Sequence, residues 1–367
     1  MKSWMCALLL ILPLLASAAT TDKAEVVLQT LASNLDHPWG LAFMPDGQIL
    51  VTERSGQLLL MSADGKKRQA LTGLPKIAVG GQGGLLDVAY HQGWIYFSYA
   101  EPGDKAGSNS TAVARARLVA NHLVDLKVIF RQQPKYRSNA HFGSRLVFAP
   151  DNSLFITPGE RYSARQQAQT LDNDLGKVVR ILPDGSIPND NPFVGKKGAR
   201  PEIWSYGHRN VQGAAINPMT EQLWTSEHGP QGGDEVNIDQ PGRNYGWPVV
   251  TYGEEYGGGK IGEGSSKPGM EEPVKVWVPS IAPSGMAFYS GDKFPAWKGN
   301  LFVGSLKFMQ LVRLELDGDK VVAEKRMLMV QIGQRIRDVK QGPDGYLYLL
   351  TDASDGRLIR LVPAASN

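Results

Sequence analysis

One local pattern returns six times along the chain: a turn of the Pro-Asp-Gly kind followed by a short strand rich in β-branched and aromatic residues. The occurrences begin at residues 45, 92, 150, 218, 297 and 343, so the two shortest steps are 46 and 47 residues. A step of that length fits one four-stranded blade of a β-propeller, and longer steps leave room for loop insertions. A β-sandwich explains six such repeats poorly. The recurrence predicts an all-β fold, a six-bladed β-propeller of four-stranded antiparallel blades.

The repeated turns predict structure rather than catalysis. They include P-D-G-Q-I-L-V-T-E from Pro45, P-D-N-S-L-F-I-T-P from Pro150 and P-D-G-Y-L-Y-L-L-T-D from Pro343. Pro fixes φ, Asp bonds to its local backbone and Gly accepts positive φ, which suits a tight turn. The longest steps follow the units at Pro150 and Pro218. Long loops on a rigid scaffold are where sites are commonly built, so we expect the functional residues there.

Composition agrees with a large β protein. The 367 residues are 42% hydrophobic and include 41 Gly and 23 Pro, which favours many turns. No linker or low-complexity stretch interrupts the chain, so residues 19–367 are expected to form one propeller domain. The formal charge of +3, without a basic stripe interleaved with aromatics, argues against a nucleic-acid partner.

The N-terminus has the pattern of a secretory signal peptide over residues 1–18. Lys2 supplies the positive charge, Trp4 to Leu15 an apolar run, and Ala16-Ser17-Ala18 a cleavage pattern. An uncleaved anchor is the alternative, although the apolar run is short for spanning a bilayer. We expect export to the periplasm. The only cysteine, Cys6, falls in the removed segment, so the mature chain would have no disulfide and no cysteine-ligated metal.

His141, in N-A-H-F-G-S-R-L, is a candidate general base because imidazole can accept a proton near neutral pH. The alternative is a solvated loop histidine. The strand after it ends in T-P-G-E, which could bring Glu160 to the same side as a partner that orients the ring.

Gln82 lies in G-G-Q-G-G-L-L-D, where four glycines let the backbone approach a ligand closely. A flexible turn is the alternative. The loop lacks the spacing of a nucleotide P-loop, and no G-x-G-x-x-G opens a helix, so a phosphate cofactor is not expected.

Several cationic and amide side chains are candidates for holding an anion. Arg335 and Arg337 in Q-R-I-R-D fall on one side of a strand by alternation, and two adjacent cations repel unless an anion lies between them. A solvent-facing edge strand is the alternative. Lys307 could be an ordinary surface lysine, and Arg209 with Asn210 in Y-G-H-R-N a salt bridge and a turn residue.

The loop E-H-G-P-Q-G-G-D-E from Glu227 offers carbonyl oxygens at Gly229 and Pro230 and carboxylates at Asp234 and Glu235. Oxygen ligands on a Gly-rich backbone suit Ca²⁺ better than Zn²⁺. The alternative is an acidic loop that binds no metal, which is common.

Taken together, the motifs resemble the soluble family of glucose/sorbosone dehydrogenases that depend on pyrroloquinoline quinone (PQQ), particularly the bacterial aldose sugar dehydrogenases. The resemblance runs from about Leu35 to Leu361. It rests on L-D-H-P-W-G-L-A-F, G-Q-G-G-L-L-D-V, H-F-G-S-R-L, E-I-W-S-Y-G-H-R-N-V-Q-G, E-H-G-P-Q-G-G-D-E-V-N, N-Y-G-W-P and R-I-R-D-V. Residues 251–273 depart from the family and lack the long insertion of its glucose-specific members.

The resemblance implies a role for each matching residue. His141 would be the catalytic base, and Glu160 falls where the family carries an acidic partner for it. Ligands of a catalytic Ca²⁺ would be the carbonyls of Gly229 and Pro230, and ligands of a second, structural Ca²⁺ would be Glu235 and the Tyr245 carbonyl. The residues that hold PQQ would be Gln82, Arg209, Asn210, Lys307, Arg335 and Arg337.

The implied activity is periplasmic oxidation of the anomeric hydroxyl of aldoses to lactones, with hydride transfer to PQQ. The partners would be an aldose and an external electron acceptor, with no nucleic acid and no membrane insertion after signal cleavage. Two alternatives remain: a calcium-dependent lactonase propeller, which has little use for the Arg335 and Arg337 pair, and a propeller that only binds, which has no need of a base.

Overall fold

The computed structural model describes residues 26–328 and 331–364. The predicted signal peptide and Cys6 lie outside these residues. The described chain forms 24 strands and two short 3₁₀ helices, Arg165–Gln169 and Pro295–Trp297. None of its helices is long and apolar enough to cross a membrane.

The strands are short and follow one another through turns and loops. The first half of the chain contributes β1 (Val26–Leu35), β2 (Pro38–Phe43), β3 (Ile49–Glu53), β4 (Gln57–Met61), β5 (Arg68–Ala70), β6 (Leu85–His91), β7 (Trp94–Pro102), β8 (Asn109–Val119), β9 (His122–Arg131), β10 (Gly143–Phe148), β11 (Leu154–Pro158) and β12 (Lys177–Ile181). The second half contributes β13 (Ile203–Tyr206), β14 (Val211–Ile216), β15 (Leu223–Glu227), β16 (Asp234–Asp239), β17 (Lys275–Trp277), β18 (Pro283–Phe288), β19 (Leu301–Ser305), β20 (Gln310–Asp317), β21 (Lys320–Met327), β22 (Ile336–Gln341), β23 (Leu347–Thr351) and β24 (Gly356–Pro363).

These strands form six antiparallel sheets of four strands each, which confirms the predicted six-bladed propeller. Five sheets use four consecutive strands and begin with β2, β6, β10, β14 and β18. The sixth has the order β1-β24-β23-β22, so the earliest described strand is the outermost strand of the last blade. Val26 pairs with Pro363, and Leu35 with Gly356. This pairing closes the ring, because it joins the two ends of the described chain in one sheet.

All six repeated turns join the first and second strands of a blade. Local aspartate bonds support the turns, as the sequence indicated. Oδ1 of Asp46 accepts a hydrogen bond from the backbone N–H of Gln48 at 3.0 Å, and Oδ1 of Asp151 accepts one from Ser153 at 2.9 Å.

The hydrophobic core is divided among the blades. Each of the six interfaces between neighbouring blades holds its own cluster of buried apolar side chains. The second strands β3, β11, β15, β19 and β23 are buried along their whole length because both faces of each are covered. The first strands pack beside one another around a central channel. Apolar packing between the blades therefore leaves the channel free for polar side chains.

The two ends of the channel differ in the loops that surround them. First strands begin, and second strands end, at one face, which we call the site face. The six repeated turns lie at the opposite face, which we call the hairpin face. This antiparallel arrangement gathers loops from every blade at each end.

Candidate active site

The predicted site residues come from loops that meet at the site face. One group directly precedes or begins a first strand: Gln82 before β6, His141 before β10, Arg209 and Asn210 before β14, and Arg335 and Arg337 at β22. A second group follows a second strand: Glu160 after β11, Gly229 and Pro230 after β15, and Lys307 after β19. Residues far apart in sequence therefore converge because the fold brings strand ends together.

His141 lies between an amide and a carboxylate. Its Nδ1 is 2.9 Å from Oε2 of Glu160, and its backbone N–H donates to Oε1 of Gln82 at 2.8 Å. Burial lowers the pKa of His141, the Glu160 carboxylate counteracts this, and the positive charge of Arg209 adds to the lowering. The imidazole is consequently neutral at neutral pH. Because Nδ1–H donates to Glu160, Nε2 is the nitrogen that keeps a free lone pair.

The local backbone explains why this histidine and this carboxylate meet. His141 has φ 51°, in the left-handed region, where histidine is tolerated better than most residues. A Cβ on Gly143 would lie 1.8 Å from the carbonyl oxygen of Thr157, and one on Gly159 would lie 2.2 Å from that of His141. Both positions therefore need glycine. The glycines of H-F-G and T-P-G-E thus let the two segments lie against each other.

A first cavity of about 500 Å³ opens beside this pair. Its lining includes the predicted residues Gln82, Asn210, Arg335 and Arg337, together with Arg54 and Trp39. Oδ1 of Asn210 accepts hydrogen bonds from the backbone N–H of Gly143 at 3.1 Å and from Nε2 of Gln212 at 3.2 Å. The amide thereby links the starts of two neighbouring blades, at β10 and β14.

The anion between Arg335 and Arg337 is part of the protein. Nη2 of the buried Arg337 is 2.5 Å from Oδ2 of Asp352, and Nε of the half-exposed Arg335 is 3.7 Å from the same atom. Nη1 of Arg54 is 3.9 Å from Oδ1 of Asp352. Three guanidinium groups thus face one carboxylate, which leaves an excess of positive charge at the cavity wall.

Arg209 borders a second cavity of about 640 Å³, which also touches Glu160, Pro230 and Trp247. Its Nη1 donates to the His228 carbonyl at 3.1 Å, and its guanidinium carbon is 5.2 Å from the centre of the Trp247 ring. Among buried polar atoms of the described chain that lack a hydrogen-bond partner are Nε of Arg209, Nε of Arg337 and Oε1 of Glu160. Such atoms can serve a polar ligand.

Lys307 stands apart from the other predicted cations. It is exposed, its ammonium is 5.3 Å from the Phe308 ring, and it forms no ion pair within the described chain. It lines neither of the two cavities, although its neighbour Leu306 lines the first. The structure therefore does not bring Lys307 against the cavity walls.

The predicted metal loop borders a third, smaller cavity of about 250 Å³. Gly229, Glu235 and Tyr245 line it with Glu227, whereas Pro230 lies on the second cavity. Burial, followed by the charge of Glu227, raises the pKa of Glu235 to about 8. A carboxylate whose charged form is disfavoured by burial and by a neighbouring carboxylate is well suited to a cation shared with that neighbour.

The backbone of this loop also offers oxygen ligands. The carbonyl oxygens of Gly229, Pro230 and Tyr245 accept no hydrogen bond within the described chain. Among the described residues, no group of three or more carboxylate, imidazole or thiol side chains is arranged to hold a metal ion. A cation here would accordingly depend on carbonyl oxygens together with one or two carboxylates, which is Ca²⁺ rather than Zn²⁺ chemistry.

Comparison with known proteins assigns the chain to a family. The model of the family described as Glucose / Sorbosone dehydrogenase matches residues 35–360. The chain belongs to this family. Its members are oxidoreductases, which confirms the enzyme class that the motifs implied. The aldose sugar dehydrogenase YliI of Escherichia coli strain K12 is 48% identical over 359 residues, which cover 95% of this chain and 96% of that protein.

Solved structures of glucose/sorbosone dehydrogenases share the fold. The apo-form of the soluble aldose sugar dehydrogenase of E. coli has a TM-score of 0.89 and 48% identity, covering 92% of this chain and 100% of that one. The PQQ-bound aldose sugar dehydrogenase of Streptomyces coelicolor has a TM-score of 0.75 and 29% identity, covering 92% and 98%.

Sequence reasoning missed four residues that line or complete the cavities of this dehydrogenase: Arg54, Gln212, His228 and Asp352. His228 is buried, which lowers its pKa to about 3, and its Nε2 donates to the Pro283 carbonyl at 2.7 Å. Arg54 and Asp352 immediately follow the second strands β3 and β23. Their position after a second strand could have identified them from the sequence, because Glu160 and the metal loop also follow second strands.

Proposed function

We propose that this glucose/sorbosone dehydrogenase uses PQQ and Ca²⁺ to oxidise the anomeric hydroxyl of aldoses to lactones. The observation that carries the proposal is the neutral, Glu160-bonded imidazole of His141: Glu160 lines the second, open cavity, and Phe142 and Gly143, which follow His141, line the cation-lined first cavity. Two relatives support the same reaction. The Streptomyces coelicolor protein is PQQ-bound, and both it and the E. coli protein are named aldose sugar dehydrogenases.

His141 would act through Nε2, which takes the proton of the anomeric hydroxyl as the C–H bond yields its hydride. Glu160 holds the ring by Nδ1 and stabilises the imidazolium that forms, so the proton stays on His141 until solvent removes it. The chemistry supplied by bound PQQ and Ca²⁺ is acceptance of that hydride and polarisation of the quinone.

The residues around the first cavity fit a tricarboxylic quinone. Arg337 and Arg335 would pair with carboxylates, because guanidinium binds planar carboxylates in a bidentate fashion and three cations here share one internal anion. Gln82 and Asn210 would add donors in the first cavity, and Arg209 would reach the cofactor from the second cavity. Lys307 is proposed on the resemblance alone, as a cation that reaches the cofactor from the rim.

Gly229 and Pro230 would ligate the catalytic Ca²⁺ through their free carbonyl oxygens. Glu235 and the Tyr245 carbonyl would ligate the structural Ca²⁺. The raised pKa of Glu235 supports this second assignment, since a bound cation would replace the proton there.

The test is reconstitution of purified apoprotein with PQQ and Ca²⁺, followed by dye reduction with several aldoses. We expect reduction that requires the sugar, the PQQ and the Ca²⁺ together. Omitting each component in turn supplies the controls. If a folded, PQQ-saturated sample reduces no dye with any aldose, the proposed activity is wrong.

Calcium should stabilise the apoprotein against heat, and Glu235→Gln should remove most of that effect. At a calcium concentration 100 times the Kd, binding to the native state adds about 2.7 kcal/mol. The raised pKa of Glu235 gives the sign of the pH dependence: below about pH 8 a proton competes with the cation, so the stabilisation should grow from pH 6 to pH 9.

Calorimetry with calcium and with a chelator measures this difference. Glu221→Gln is the matched control, because Glu221 is an exposed residue in the turn between β14 and β15 at the hairpin face. A Glu235→Gln protein that keeps the full calcium dependence would remove Glu235 from the ligand set.

We also propose that the enzyme acts in the periplasm. Lys2, the apolar run and Ala16-Ser17-Ala18 support export. Mass spectrometry of the secreted protein should show a mature chain that begins at Ala19, and an intact Met1 in the periplasmic fraction would contradict the cleavage.

A further inference from the structure

Three of the sequence motifs contribute residues for which the catalytic site has no role. Asp87 in G-G-L-L-D, Arg145 in H-F-G-S-R and Asp338 in R-I-R-D meet in the channel, where all three are fully buried. Nη1 of Arg145 is 2.9 Å from Oδ1 of Asp338 and 3.3 Å from Oδ1 of Asp87. The Arg145 guanidinium lies 4.1 Å from the centre of the Trp39 ring, which comes from a fourth motif. We call these four residues the channel cluster.

The channel cluster forms a layer between two cavities. On β10, Gly143 lines the first cavity, whereas Leu146 lines a cavity of about 770 Å³ on the other side of Arg145. On β22, Arg337 lines the first cavity, whereas Lys340 lines the other one. Arg145 and Asp338 therefore lie beneath the residues that line the first cavity.

Arg145 bonds directly to the backbone of two strands whose side chains form that cavity. Its Nε donates to the Gln212 carbonyl at 2.6 Å, and its Nη2 donates to the Arg337 carbonyl at 3.0 Å. The side chains of those two residues also bond to each other, from Nη1 of Arg337 to Oε1 of Gln212 at 3.1 Å, and Gln212 bonds onward to Asn210. One guanidinium thus fixes the spacing of β14 and β22 under the cavity.

The two aspartates hold Arg145 and reach further strands. Oδ2 of Asp87 accepts from the backbone N–H of Leu146 at 2.9 Å. A Cβ on Gly285 would lie 2.0 Å from Oδ1 of Asp338, so the glycine of P-S-G leaves the room this carboxylate occupies. The arrangement is rigid because a buried charge with several directed partners has few alternative positions.

We propose that Arg145, held by Asp87 and Asp338, is a positioning residue that sets the width of the cofactor cavity through the carbonyls of Gln212 and Arg337. The inference rests on the proposed PQQ site. It gives the channel cluster a part in cofactor affinity, beyond joining the blades.

The test compares two lysine variants. Arg145→Lys keeps the charge but cannot bond to two carbonyls and two carboxylates at once, so the Kd for PQQ should rise about tenfold. Arg180→Lys is the matched control: Arg180 is also buried, over the Trp204 ring at 5.2 Å, with Asp151 at 2.6 Å and Asp190 at 2.9 Å. The control should lose stability without changing the Kd for PQQ. Titration of each protein with PQQ in saturating Ca²⁺ measures this.

Gly285→Ala provides a second test of the positioning role, because it displaces the Asp338 carboxylate while keeping every charge of the channel cluster. It should also raise the Kd for PQQ, with the KM for the aldose unchanged once PQQ is saturating. The positioning role is wrong if wild type binds PQQ and both the Arg145→Lys and Gly285→Ala proteins bind it equally tightly, or if Arg180→Lys weakens binding as much. Absence of PQQ binding by wild type would overturn the proposed function together with this inference.

Discussion

Replacing His141 with Gln should lower kcat on the order of 10²–10⁴-fold, the usual contribution of a general base, while the Kd for PQQ changes little. Glutamine can still donate toward Glu160 but cannot take a proton from the substrate hydroxyl. His141 touches the first cavity only through its bond to Gln82, so its loss leaves the cationic wall at Arg335 and Arg337 in place.

The pH profile separates loss of a base from loss of structure. Burial lowers the pKa of His141 below its ordinary value of 6.5, and Glu160 limits the shift. Since the base must be neutral, kcat/KM of wild type should fall on the acid side with an apparent pKa below 6.5. The residual activity of the His141→Gln protein should not show this fall in kcat/KM at acid pH.

His91→Gln is the matched control. His91 ends β6 at the hairpin face, stacks on Phe148 at 3.9 Å and bonds to Asn152, so it is also held by a ring contact and a hydrogen bond but is remote from the first and second cavities. Its replacement should leave kcat unchanged. If His141→Gln kept wild-type turnover, or if both variants lost activity equally, the base assignment would fail.

The fold could be predicted because its signal is local and repeated. Each Pro-Asp-Gly-like unit marks the hairpin between the first and second strands of one blade, so six units gave six blades. β1 could not be predicted in this way, since Val26–Leu35 follows no such turn and belongs to the blade formed by the other end of the described chain. Its place depends on a pairing across more than 300 residues, which no local pattern encodes.

The site could be predicted only where its residues lie in recognisable motifs. Gln82, His141 and Asn210 fall within one hydrogen-bonded group because each precedes a first strand. Asp352 could not be found in this way, because it stands alone in T-D-A-S-D and its partners Arg54 and Arg337 come from other strands. The prediction for Lys307 was drawn from the resemblance, and the structure leaves that residue exposed at the rim.

Asp352 changes how the arginine pair is interpreted. Two adjacent cations repel unless an anion lies between them, and the protein itself provides that anion. The pair alone therefore does not require a ligand. The charge imbalance still favours an anionic ligand. Arg54, Arg335 and Arg337 share a single carboxylate, and Nε of Arg337 has no hydrogen-bond partner within the described chain.

Arg337→Ala should accordingly weaken PQQ binding far more than Arg335→Ala. Arg337 is buried against Gln212 and Asp352, so its removal takes a desolvated charge from the cavity wall and should raise the Kd about 100-fold, or about 2.7 kcal/mol. The Arg335 side chain is 54% exposed and 3.7 Å from Asp352, so its loss should cost about 1 kcal/mol or less. Calorimetric titration with PQQ in saturating Ca²⁺ measures both values.

Asp352→Asn distinguishes a role of Arg337 in PQQ binding from a role in folding, because the two roles predict opposite changes in PQQ affinity. Without Asp352 the buried Arg337 lacks its internal counter-charge, and burial alone already lowers the Arg337 pKa. The apoprotein should therefore lose stability, whereas PQQ, which would restore a negative charge, should bind at least as tightly as it does to wild type. If Arg337→Ala and Asp352→Asn both weakened PQQ binding, Arg337 would support the fold rather than the cofactor, and the cationic wall would need another ligand.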